Sequence, residues 1–223
     1  APTWSIARDA QEALLVGNEH GIGRQANPHK RFVPVLHNAG IQVVGIQRSH
    51  DGSLWTLNSA GFLRRTWPDG HSVQIVKLPH TGRRLLIDRQ GRLWMLSADG
   101  LFVIEHPLEG SSMQAVADIP AIDCTDVQQT ADGTLWVSTA NGLFRLQDGR
   151  WSRVKVKVNG GAPETWISKF HISDSGQVWL AFYRPGLWHG MLLHDGLDLH
   201  KSNDEALRDV AVYLLRGDSA GRV

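Results

Sequence analysis

The sequence is poor in several things that would have narrowed its chemistry quickly. It has one cysteine, Cys124, so no intrachain disulfide can form. A buried structural thiol is the expected reading, and the redox compartment stays open. Charge is balanced: 23 Lys and Arg stand against 22 Asp and Glu, for a formal net charge of +1. That argues against a nucleic-acid binder, which carries a basic excess on one face. The densest basic stretch, Arg83-Arg84 with Arg89 and Arg92, is short and broken by apolar residues, as a solvated strand edge would be. No apolar run reaches the length of a membrane-spanning helix. No leader peptide is visible at Ala1-Pro2-Thr3-Trp4, so either the protein is cytosolic or a leader or anchor lies upstream. No sustained helical period occurs, and Asp204–Asp209 has room for one helical turn.

Recognised chemical motifs are missing too. There is no nucleophile elbow, phosphate loop or dinucleotide fingerprint. The 11 histidines are scattered, and His189 and His194 have no carboxylate or thiol at the usual metal spacing. Asp118, Asp123 and Asp126 lack a calcium-loop pattern. The expectation is a segment without catalysis, metal or cofactor.

What is abundant is glycine, 23 residues, and tryptophan, 9 residues, and both recur with a period. Asp51-Gly-Ser-Leu-Trp55 with Gly61, Asp88-Arg-Gln-Gly-Arg-Leu-Trp94 with Gly100, Asp132-Gly-Thr-Leu-Trp136 with Gly142, and Asp174-Ser-Gly-Gln-Val-Trp179 with Gly186 are one repeat four times. The tryptophans are 39, 42 and 43 residues apart. A degenerate first unit runs from Ile6 to Gly21, with Leu15 for the tryptophan and Glu12 for the turn glycine. A sixth unit begins at Leu215 and reads Asp218-Ser-Ala-Gly221 before the chain ends.

Each part has a physical role. The Asp-x-x-Gly or Asp-Gly step is a tight hairpin turn. The Leu-Trp run is a short strand of β-prone residues. A second glycine opens a third strand (Phe62–Trp67, Leu101–Ile104, Leu143–Leu146), and a polar turn leads to a fourth, such as Ser72–Lys77 or Trp151–Val156. Four antiparallel strands about 40 residues long make a propeller blade. The expected fold class is therefore all-β, a β-propeller. It comprises five blades (about 1–40, 41–80, 81–122, 123–165 and 166–208) and the first strand of a sixth, Ala211–Arg216, within 209–223. Unit one already owns its first strand, Trp4–Arg8, and unit six offers another, so an open arc cut from a larger, seven-bladed ring is expected.

The units resemble the two-component regulator propeller repeat, with Ala131-Asp-Gly-Thr-Leu-Trp-Val-Ser-Thr-Ala-Asn-Gly-Leu-Phe-Arg145 as the nearest match and Ser138 where that family often has glycine. The resemblance covers nearly the whole chain. It implies a periplasmic sensor of a bacterial membrane receptor whose output module is a histidine kinase, a hybrid kinase or a diguanylate cyclase. The partners it implies are a small-molecule or carbohydrate ligand and the rest of the receptor, with a homodimer also expected and neither nucleic acid nor membrane insertion by this segment. A propeller lyase similar to the streptogramin-inactivating enzymes and a protein-interaction or dimerisation propeller are the alternatives. Propeller ligands sit on loops at one end of the blades. The candidate loop residues are Trp166, Tyr183, Arg184, Asn141, Asp99, Arg83, Asn38 and His20. Unit five's insertion at Tyr183-Arg184 and its long entry loop, Val158–Glu164, put Trp166, Tyr183 and Arg184 first.

Overall fold

The structure is a computed structural model that describes residues 5–9, 11–25, 32–37, 41–119, 123–159, 161, 166–193, 196–212, 215 and 217. It divides into two compact units, residues 1–116 and 117–223.

The first unit holds three four-stranded sheets, each a meander in sequence order. The first comprises β1 (Ser5–Arg8), β2 (Leu14–Asn18), β3 (Gly21–Gln25) and β4 (Phe32–His37). The second comprises β5 (Val43–Arg48), β6 (Leu54–Asn58), β7 (Phe62–Thr66) and β8 (Ser72–Lys77). The third comprises β9 (Gly82–Ile87), β10 (Leu93–Ser97), β11 (Gly100–Ile104) and the two-residue β12 (Gln114–Ala115). The first strands of these blades adjoin. Ser5 Oγ donates to the Val43 carbonyl at 3.0 Å. A Cβ placed on Gly45 would lie 2.5 Å from that of Leu85, so glycine lets the two backbones close up. Between the second and third blades lies a core of Val44, Trp55, Leu57, Leu63, Leu85, Met95 and Phe102, with Leu78, Leu93 and Ile104. A smaller core of Leu15, Ile22, Val43 and Ile46 lies between the first and second.

The second unit has β13 (Asp126–Gln129), β14 (Leu135–Thr139), β15 (Gly142–Gln147) and β16 (Arg150–Val158), then β17 (Ile167–Ile172), β18 (Gln177–Phe182), β19 (Trp188–Leu193) and β20 (Gly196–Lys201). A four-residue helix, α1 (Glu205–Arg208), follows, capped by the Asp204 carboxylate accepting from the Ala206 amide. Here the expectation of separate blades is modified. β16 runs to nine residues, and its end pairs in parallel with β20, Lys155 to Gly196 through Val158 to Leu199. The two blades therefore form one eight-stranded sheet. Their inner ends are joined as well: Gln128 Nε2 donates to the Ile172 carbonyl at 2.6 Å, and its Oε1 accepts from the Ile172 amide at 2.9 Å. Trp136, Phe170, Leu180, Phe182, Trp188 and Leu199 fill the space enclosed.

The repeated turn explains the repeated sequence. Asp9 and Asp88 each accept two backbone N–H bonds across the turn, from Gln11 and Ala13 and from Gln90 and Arg92. In the second and fourth blades a hydroxyl residue, Ser49 or Thr130, takes that first position. Asp51 or Asp132, two residues on, then accepts from it and from the Ser53 or Thr134 amide. These are Asx-type turns, which satisfy the hairpin's own backbone. The sixth repeat is described only in part. Leu215 is buried at 3% exposure, like Ile46 and Leu85 at the corresponding position of their blades. Ala211, Val212, Leu215 and Gly217 carry no strand, and 213, 214 and 216 lie outside the described residues.

Candidate functional site

Trp166 sits just before β17, with its backbone in the left-handed region at φ 59. A bulky residue there is a conformational outlier held by its surroundings. The holding contact is visible: the Trp166 amide donates to the Ala140 carbonyl at 3.0 Å. Ala140 belongs to the β14–β15 turn, where the Asn141 amide is pinned by Thr139 Oγ1 at 3.0 Å. The entry to the fifth blade is thus tied to the turn of the fourth.

Across from it stands the β18–β19 connection. Tyr183 packs against Trp166 with ring centroids 5.4 Å apart and planes tilted by 51°. Both remain open to solvent, Trp166 at 51% and Tyr183 at 58% exposure. Aromatic faces are more often covered, and here an exposed pair stands on a fixed backbone. Arg184 follows Tyr183 in the chain, with its guanidinium 4.7 Å from the Trp188 ring and 5.4 Å from that of Phe182. Lys201 Nζ approaches the same Trp188 at 5.7 Å. Four of the expected site residues, Trp166, Tyr183, Arg184 and Asn141, therefore belong to the loops of two neighbouring blades in the second unit. Trp166 and Tyr183 form an exposed aromatic platform, and the two cations stand over the buried Trp188.

The remaining candidates are elsewhere. Asp99, in the β10–β11 turn, has a carboxylate oxygen 2.9 Å from His80 Nε2, and both side chains are partly exposed. Arg83 is the second residue of β9 and half-buried, so it belongs to a strand and not to an entry loop. Asn38 lies outside the described residues. His20 is exposed in the β2–β3 turn, 3.7 Å from Glu19, and its amide donates to Asn18 Oδ1 at 2.8 Å. It also lines a small cavity of about 170 Å³ with Asn18, Val16, Ile22, Phe32 and Pro34. Phe32 and Pro34 escaped sequence reasoning, although Phe32-Val-Pro-Val35 is an apolar run beside a candidate loop. Lys201 escaped as well, because nothing in its spacing ties it to Trp188. Among the described residues no three His, Cys, Asp or Glu side chains gather as metal ligands do.

The fold is similar to that of known solved structures. The extracellular domain assigned to a hybrid two component system of B. thetaiotaomicron matches with a TM-score of 0.70 at 20% identity, over 91% of this chain and 28% of that one. Virginiamycin B lyase of Staphylococcus aureus matches with a TM-score of 0.67 at 14% identity, over 90% of this chain and 70% of that one. The β-propeller domain of Cps50 (Swd1) from Myceliophteria thermophila matches with a TM-score of 0.67 at 10% identity, over 92% of this chain and 73% of that one. This chain is a β-propeller. The propeller spans little more than a quarter of the length of the two-component protein domain it matches. No family model and no curated protein matches its sequence.

Proposed function

We propose that this propeller is a ligand-sensing, extracytoplasmic part of a bacterial transmembrane signalling receptor of the two-component or cyclic-di-GMP type, located in the periplasm. The ligand is a small molecule, a carbohydrate by the chemistry of the platform. The observation that carries the reading is the exposed Trp166–Tyr183 pair. Aromatic faces receive the C–H faces of a sugar ring, and Arg184 and the Asn141 loop supply polar groups that fix its orientation. Two solved structures with the same fold, both from B. thetaiotaomicron, are extracellular domains of proteins assigned to hybrid two component and one component systems. Titration calorimetry against neutral and acidic oligosaccharides tests the reading. At least one is expected to bind saturably, with Trp166→Ala and Tyr183→Ala each weakening it about tenfold or more. Binding that ignores both substitutions would move the site, and no binding together with capture of a protein partner would replace the sensor with an interaction platform.

One observation favours a second reading, an enzyme. His80 Nε2 is held 2.9 Å from the Asp99 carboxylate, the way an acid orients a general base. Neighbours of the same fold include virginiamycin B lyase, one structure of which holds quinupristin. Incubation of the propeller with quinupristin, followed by mass spectrometry and repeated with His80→Ala, decides this reading. An unchanged substrate removes it.

A further inference from the structure

The outer strands of the five blades manage their open edges differently. β16 and β20 pair with each other. β12 has two residues and so offers almost no edge. β4 carries Pro34, which has no N–H to donate. β8 has none of these protections: it is six residues, Ser72-Val-Gln-Ile-Val-Lys77, without proline or glycine, and it ends its sheet. Among the described residues it is the one long outer strand left unpaired and unblocked. Val73 and Ile75 on it are 39% and 42% exposed. A β-branched, nearly uncharged edge of this kind is a template for another strand.

We propose that β8 pairs, edge to edge and antiparallel, with the β8 of a second copy of this chain, about a two-fold axis at Gln74. The ladder sets the register. Trp67 donates to the His71 carbonyl at the hairpin, so by antiparallel alternation Val73 bonds back to β7 while Ser72 and Gln74 direct N–H and C=O outward. Centring on Gln74 makes it face its own copy and sets Val73 opposite Ile75 twice, giving two apolar cross-strand pairs. The antiparallel sense separates the two Lys77 side chains, which a parallel in-register pair would set side by side. The register shift between Leu63 and Arg64 leaves Ile75 as the extra residue on β8, and the twist it adds ends regular pairing near Val76. The contact is therefore short and the dimer weak. The chain's own β16–β20 junction shows that its outer strands accept one another.

Sedimentation velocity from low micromolar to several hundred micromolar protein tests the proposal. A concentration-dependent dimer is expected, with Ile75→Lys raising its dissociation constant at least about tenfold while the melting temperature stays put. Gln74→Cys, at the two-fold, is expected to give a disulfide-linked dimer on mild oxidation, whereas the buried Cys124 of the unaltered chain gives none. This second variant stands on its own should Ile75→Lys disturb folding. A monomer throughout the range, a dimer indifferent to Ile75→Lys, or a Gln74→Cys protein that dimerises without cross-linking would each overturn the proposal.

Discussion

Trp94 donates its indole N–H to Asp88 Oδ2 at 2.7 Å, across the turn that joins β9 to β10. Asp88 is buried, and it also receives the Arg92 guanidinium at 2.7 Å and two turn amides. The same bond recurs in the fourth blade, from Trp136 Nε1 to Thr130 Oγ1 at 3.1 Å. In the second blade the Trp55 Nε1 is buried with no acceptor.

A first prediction follows from that contrast. Replacing a buried tryptophan by phenylalanine removes volume at all three sites, but at Trp94 it also removes one of the four hydrogen bonds that the buried Asp88 carboxylate accepts. Trp94→Phe should therefore cost more stability than Trp55→Phe, by about 1 kcal/mol or more. Urea unfolding of the two variants, with Trp136→Phe between them, checks the order.

The turn carboxylates set an acid limit. Burial opposes the ionisation of Asp51, but bonds from the Ser49 hydroxyl, the Ser53 amide and hydroxyl, and the Arg65 guanidinium outweigh it and hold its pKa far below the usual range. The Thr130 hydroxyl is the largest influence on Asp132 and lowers it, against burial. Burial opposes the ionisation of Asp9, but the Arg24 guanidinium and the Gln11 and Ala13 amides together outweigh it and lower its pKa. A lowered folded-state pKa contributes stability that is full above the unfolded value near 3.8 and is lost as pH falls through the folded one. The melting temperature should be flat above about pH 5 and fall steeply below about pH 4. Asp51→Asn should be less stable at neutral pH and show a shallower acid slope.

Two non-glycine residues hold left-handed backbones in informative places. Glu12, at φ 60, stands where the other repeats have the turn glycine. Glu12→Gly should raise stability by up to about 1 kcal/mol. Trp166→Gly should relieve the same strain while removing half of the aromatic platform. The melting temperature is expected to hold or rise while any saccharide response is lost. A large loss of stability in Trp166→Gly would mean that the indole is there for packing.

The β16–β20 junction can be opened at Gly196. A Cβ there would lie 2.4 Å from the Lys155 carbonyl oxygen, at a backbone φ of 157. Gly196→Ala should unzip the parallel pairing and speed amide exchange over Lys155–Val158, leaving β5–β8 unchanged. Uniform exchange in both would show that the junction is not a separate element.

The blade repeat was legible because it is local. An Asx turn, a β-prone Leu-Trp pair and a second glycine each act within about twenty residues, and each leaves a fixed residue type at a fixed spacing. β8 falls on the residues that the pattern marked, and α1 falls within the single helical turn expected at 204–209. The sequence by itself thus determined the four-stranded blade, its turns and the tryptophan at its centre. What lay beyond it depends on meetings between distant residues. Nothing in the spacing of Arg150–Val158 says that it will seek Gly196–Leu199, because parallel pairing needs a partner strand and not a motif. Likewise, Trp166 and Tyr183 were candidates as separate loop residues, and only the tertiary structure, through the Ala140 carbonyl and the β18–β19 connection, set their rings side by side.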